Sequence, residues 1–306
     1  METKQKEKEK KVAVGLNGHS HHAETEVRLA VQKTYKLYID GKFPRTESGR
    51  YYKLNDKNGK VIANICRASR KDFRDAVVVA RKAQGNKKKK SAFNKGQILY
   101  RIAETLETRR QQFVSALGLQ RVSEAAAQKE VSAAVDMLVY YAGWSDKYQQ
   151  VFSSVNPVES SHFNFSFPEP TGVVAAIESQ QQGLLNLVSL MAPALAGGNS
   201  IIILAAEKFP LTAIDFAEVL NASDVPGGVV NILTGFSKEL HSHFSSHMDV
   251  NAIVYAGDDS TELKTIQTNA AGNVKRVVVV RNIAEESPYR IMELQEVKTT
   301  WHPVGI

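Results

Sequence analysis

The chain has 306 residues, 43% of them hydrophobic and 23% charged, a composition that suits a soluble globular protein of one large or two small domains and excludes disorder along its whole length. The net charge of +7 is concentrated: the first twelve residues hold five Lys against three Glu, Lys87 to Lys90 add four more, and the remainder sits at +1. Tracking a phosphate backbone needs a continuous basic face on the folded surface, so no nucleic-acid partner is expected.

Residues 1–33 alternate Lys and Glu and then run through GLNGHSHH. They hold too few apolar side chains to offset the entropy of ordering them, which predicts a disordered charged tail. The same stretch lacks the apolar core of a signal peptide, so a cytoplasmic location is expected. His19, His21 and His22 without a supporting fold read as a solvated segment and not as a metal site.

From Tyr35 onward, short β-prone runs are punctuated by Asp40-Gly41, Ser48-Gly49 and Asn58-Gly59, which predict small hairpins. Cys66 closes one such run and is the sole cysteine, which excludes internal disulfides, zinc ribbons and CxxC chemistry. Its plain reading is a small apolar side chain in a strand, and any thiol mechanism must use it.

Three helices follow, at 71–84, 95–117 and 123–149, the third opening on a Ser123-Glu124 cap. Gly85 to Lys90 reads as a solvated loop. Residues 151–171 look extended, with the alternation of His162, Phe163, Asn164, Phe165, Ser166 and Phe167 marking a hairpin arm. Between 172 and 280, continuous apolar runs at 173–178, 200–204, 229–234, 252–256 and 276–280 alternate with helical stretches at 183–196, 211–222, 237–246 and 259–270. That is the pattern of a parallel sheet buried on both faces. The most apolar stretch, 189–206, is broken by Pro193, Gly197, Gly198 and Asn199 and does not read as a membrane span. A further strand at 294–301 stands apart from the parallel sheet. His243 and His247, four apart on a helix, lack an evident third ligand, so no metal is expected.

The order and spacing of YYAGWSDK at 140–147, PTGVV at 170–174, APALAGGN at 192–199, PLTA at 210–213, VPGGVVNILTG at 225–235 and EVKTTW at 296–301 resemble the aldehyde dehydrogenase superfamily. The resemblance implies an α/β fold, a Rossmann-like parallel sheet with N-terminal helices and an arm built from a β-hairpin and the C-terminal strand. The implied layout is a tail at 1–33, hairpins and helices at 34–150, the hairpin arm at 151–171, the Rossmann-like core at 172–283 and the arm strand at 284–306. Family members place a catalytic domain with the nucleophilic Cys between the last cofactor-domain strand and the arm. Here Val280 runs almost directly into the arm, as in the second, non-catalytic module of the two-module branch called family 16.

Positions that carry the family's chemistry are altered. The oxyanion Asn aligns with Gln181 and the general-base Glu with Val280. The ribose-binding Lys aligns with Leu204 while its partner Glu survives as Glu207, and the diphosphate turn reads Ala256-Gly257-Asp258-Asp259. Two carboxylates suit a helix N-terminus as caps, yet they repel a diphosphate from it. Resemblance places the candidate cofactor contacts at Ile177, Glu178, Glu207, Gly235 and Gly257, with NAD(P) absent or weakly held and no catalytic residue. The expected role is a non-catalytic structural or regulatory subunit. It would pair through Phe163, Phe165, Phe167, Val297, Lys298, Thr299, Thr300 and Trp301 with a full-length aldehyde dehydrogenase or with itself. The alternatives are an NAD(P)-binding sensor and an oxidoreductase with a degenerate site.

Overall fold

A computed structural model describes residues 32–56, 58–85 and 91–305. The tail expected over 1–33, with its three histidines, falls outside the described residues save for its last two, and so do Lys87 to Lys90.

The first sheet contains β1 (Thr34–Tyr35), β2 (Tyr51–Asn55) and β3 (Val61–Cys66) in the order β1-β3-β2. β2 and β3 form the hairpin marked by Asn58-Gly59, with Asp56 Oδ1 accepting from the backbone N–H of Asn58 and Lys60 at 2.8 and 2.9 Å. The other two turn signals close no hairpin of comparable length. At Asp40-Gly41, both at positive φ, a single bridge joins Ile39 and Lys42, and at Gly49 a turn back to Thr46 leads into no strand pair. β1 instead lies parallel to β3, a non-local pairing that no turn residue announces.

Helix α1 (Arg70–Gly85) matches expectation, but the second predicted helix is two: α2 (Ala92–Thr108) and α3 (Arg110–Leu119). Thr105 and Thr108 hydroxyls bond back to the carbonyls of Arg101 and Thr105 at 2.8 Å, competing with the helix ladder where it breaks at Arg109. Ser123 caps α4 (Glu124–Trp144) by accepting from Ala126 N–H. The chain then turns and forms α5 (Tyr148–Phe152), so Val151 and Phe152 are helical and not extended. Burial of Tyr148 and the packing of Phe152 on Tyr289, at 5.3 Å between rings, hold that turn in place.

β4 (Ser154–Asn156) and β5 (His162–Pro170) lead into the parallel core. Its elements are β6 (Val173–Ile177), α6 (Leu184–Ala196), β7 (Ser200–Leu204), α7 (Pro210–Ala222) and β8 (Val230–Leu233). They continue through α8 (Ser237–Ser246), β9 (Ala252–Tyr255), α9 (Ser260–Ala271) and β10 (Arg276–Val279). Strand order is β10-β9-β6-β7-β8, all parallel. Side chains alternate across the sheet and find a core on each face. Val174, Ala176, Ile201, Ile203 and Val254 join one apolar cluster, and Val173, Ala175, Ile177, Ile202 and Ile253 join the other. This two-sided burial is why the strands read as unbroken apolar runs. On the outer side of β8, Tyr38 exchanges backbone bonds of 2.9 and 2.8 Å with Ile232 and ties the N-terminal segment to the sheet.

After β10 the chain makes the short helix α10 (Tyr289–Met292) and enters β11 (Gln295–Pro303). β11 pairs with β5 through nine antiparallel positions, from Gln295 opposite Pro170 to Pro303 opposite His162, in a separate sheet of order β11-β5-β4. No helix among the described residues is long and apolar enough to cross a membrane.

Candidate functional site

In an open parallel sheet the ligand crevice lies beyond the carboxyl ends of the strands, where the order reverses. Here β7 and β8 lie to one side of β6 and β9 and β10 to the other, which puts the switch point between β6 and β9. Each crossover helix starts at this edge, and its first backbone N–H groups and dipole make a ready anion site.

All four of these N-termini are closed by the chain's own side chains. Glu130 Oε1 from α4 accepts from Gly183 and Leu185 N–H at 3.1 and 3.2 Å at the start of α6. Gln120 Oε1 accepts from Leu211 N–H at 2.9 Å in α7. Glu207 Oε1 accepts from Ser237 N–H at 2.9 Å in α8. Asp259 Oδ1 accepts from Thr261 and Glu262 N–H at 2.8 and 3.1 Å in α9, which is the capping expected from the Asp258-Asp259 pair.

The predicted cofactor contacts meet at this edge, and the structure gives their side chains other work. Ile177 is buried in the apolar cluster beneath the sheet. Glu178 is buried as well, with Oε2 accepting from Ala206 N–H at 2.9 Å and Oε1 without a partner. Burial pushes its carboxyl up to about 8, opposed by the Ala206 N–H and reinforced by Glu130, so it is largely protonated at neutral pH. Gly257 has no room for a side chain, because a Cβ would stand 2.6 Å from the Tyr255 ring. Gly235 lies on the turn between β8 and α8, its Cβ position 3.3 Å from Ala68 N. Gln181, at the oxyanion position, donates from Nε2 to Asp258 Oδ2 at 2.8 Å and bridges the β6 and β9 loops. Arg281 donates to the Gly257 carbonyl at 3.2 Å.

A cluster that the sequence reading missed braces the same edge. Tyr255 hydroxyl accepts from Asp259 N–H at 3.2 Å and donates to Glu262 at 2.8 Å. Glu262 also takes the Ser237 hydroxyl and lies 3.3 Å from His241 Nδ1. The signal was present as a capping box, Asp259 followed three residues later by Glu262, although the backbone N–H of the cap is met here by Tyr255.

These residues do not fit a dinucleotide. A diphosphate at the α8 or α9 N-terminus must displace Glu207 or Asp259 and sit beside Asp258, and the buried Leu204 supplies no charge where a ribose-binding lysine would stand. The sole cysteine presents no exposed thiol here. Cys66 is buried in the same apolar cluster as Leu204, Leu233 and Leu240, and its carbonyl accepts from Thr234 Oγ1 at 2.6 Å. Val280 is buried and carries no titratable group.

A family model described as aldehyde dehydrogenase family matches residues 43–280. The chain belongs to the aldehyde dehydrogenase family. It is 30% identical over 246 residues to an aldehyde dehydrogenase of Aspergillus niger, covering 79% of this chain and 49% of that protein. Cytosolic 10-formyltetrahydrofolate dehydrogenase of Mus musculus is 31% identical over 256 residues, covering 82% and 28%. The solved NAD+ complex of an aldehyde dehydrogenase from Bacillus cereus superposes with a TM-score of 0.76 at 26% identity, covering 80% of this chain and 50% of that one. The chain thus spans half or less of these relatives.

The predicted interface residues gather on the arm sheet. Phe163, Phe165 and Phe167 form a ladder on one face of β5, with ring centroids 5.5 and 5.9 Å apart and Lys298 Nζ 5.9 Å from the last ring. Thr300 and Lys298, opposite Phe165 and Phe167, share that face. Val297, Thr299 and Trp301 lie on the other, where Thr299 meets Ser166 at 2.8 Å and Trp301 packs edge-on to His162.

Proposed function

We propose that this aldehyde dehydrogenase family member is a non-catalytic assembly subunit that pairs through its arm sheet with a full-length aldehyde dehydrogenase or with a second copy of itself. One observation carries the reading: β11 is the end strand of its sheet, and it presents Val297 at 65% exposure and Trp301 at 58% beside an outer row of backbone groups that no described strand pairs. An exposed, β-prone edge strand of this kind, with two large apolar side chains in water, is an association surface unless a partner covers it. The occupied helix N-termini support the non-catalytic part of the reading, because the positive ends of those helices already hold internal acceptors.

The test is the mass in solution, by light scattering, of the chain alone and after mixing with a full-length aldehyde dehydrogenase. A dimer, or a complex with the enzyme, is expected. A monomer that stays monomeric with every such enzyme tried overturns the proposal.

A further inference from the structure

A cavity of about 300 Å³ opens at the opposite, amino edge of the parallel sheet, among the segments that lead into β6, β7 and β8 and against α2 and α5. Its walls are largely apolar, with Ile98, Tyr148, Pro170, Leu195 and Val225 among them. The polar side chains on the wall are mostly committed elsewhere. Asn199 accepts from Gly172 N–H at 2.9 Å and donates to the Leu294 carbonyl at 3.0 Å, and Gln149 donates to the Pro168 carbonyl at 3.2 Å.

Lys95 is the exception. Its Nζ donates to the Ala196 carbonyl at 2.8 Å, at the end of α6, and stands 5.3 Å from the centre of the Tyr148 ring. One of three ammonium N–H groups is thereby used. Burial lowers the amine to about 8, with no carboxylate acting on it, so at pH 7 it remains mostly charged and lacks a counter-ion among the described residues. A half-buried ammonium with spare donors in an apolar chamber is complementary to one anionic group on an apolar body. At about 300 Å³ the chamber stands at the lower end of the range for small-molecule pockets, which suits a compact ligand.

We propose that this cavity binds a small monocarboxylate with an apolar body, its carboxylate seated on Lys95 and its hydrocarbon against Ile98, Tyr148 and Leu195. The site lies apart from the switch-point crevice and does not depend on the pairing role.

The test uses the full chain and isothermal titration with hexanoate and benzoate, with hexanamide and benzamide as neutral matches of the same shape. Saturable binding of a carboxylate is expected, with the amides weaker by about tenfold or more, as the loss of a charge-assisted bond implies. Lys95→Gln, which keeps a donor for the Ala196 carbonyl and removes the charge, is expected to weaken carboxylate binding by a similar factor and leave the amides unchanged. Equal binding of carboxylate and amide by the natural chain, equal carboxylate binding by the variant, or no binding at 10 mM overturns the proposal. The amide comparison decides the matter even if the variant fails to fold.

Discussion

Replacing Glu178 by Gln isolates the energetic consequence of a buried acid at the crevice edge. The folded carboxyl titrates at about 8 against an ordinary 4.5, with burial as the chief cause. Below pH 4.5 the group is protonated in both folded and unfolded chains and costs nothing. Between 4.5 and 8 the folded chain holds a proton that the unfolded chain has released, so stability falls as pH rises and levels off once the folded group has ionised. At 1.36 kcal/mol per unit, the loss between pH 4.5 and pH 7 is about 3 kcal/mol. Gln keeps an oxygen for Ala206 N–H and never ionises. The stability of Glu178→Gln relative to the natural chain is therefore expected to grow with pH, by about 3 kcal/mol from pH 4.5 to 7. In a domain of this size that corresponds to roughly 6 °C in Tm. Urea unfolding of both chains at pH 4.5, 5.5, 6.5, 7.5 and 8.5, followed by circular dichroism, reads the difference directly. A difference that is flat across the range, or that shrinks with rising pH, refutes the reasoning.

Three further outcomes follow from the same geometry. Thermal melts with NAD(H) or NADP(H) at about 1 mM are expected to show no stabilisation, whereas a ligand at a hundred times its Kd would add about 2.7 kcal/mol; a clear rise in Tm contradicts the claim that Glu207, Asp258 and Asp259 bar a diphosphate. Gly257→Ala is expected to cost about 1–3 kcal/mol, because its methyl meets the Tyr255 ring at 2.6 Å, and a neutral result in urea unfolding shows that the close approach is not needed. Cys66 is buried in β3, so an aromatic disulfide reagent is expected to react with it slowly in the native chain and rapidly in urea; fast native reaction contradicts that placement.

Much of the core was legible because its strands are buried on both faces. Val173 to Ile177 and Ser200 to Leu204 have no alternative to a central strand, and each predicted boundary in the core lies within two residues of the observed one. Long-range pairing was less accessible. Nothing near Thr34 announces that it will lie parallel to Asn64, and nothing near Tyr38 announces Ile232. The break at Arg109 turned on two threonine hydroxyls whose choice between solvent and backbone is not written in local pattern.

The site divides in the same way. The Asp259 cap is local and was read correctly, while Gln181 and Asp258 stand 77 positions apart and meet only in the folded chain. Glu130 reaches the crevice from α4 and Gln120 from the residue that follows α3, and sequence spacing connects neither to it.

Amide hydrogen exchange along β11 tests the central claim most directly, read by mass spectrometry in the dilute chain and again when concentrated or mixed with a full-length aldehyde dehydrogenase. Protection of residues 295–303 is expected to rise on association while exchange in the buried strand β7 stays the same. Association that leaves β11 unchanged and protects another surface contradicts it.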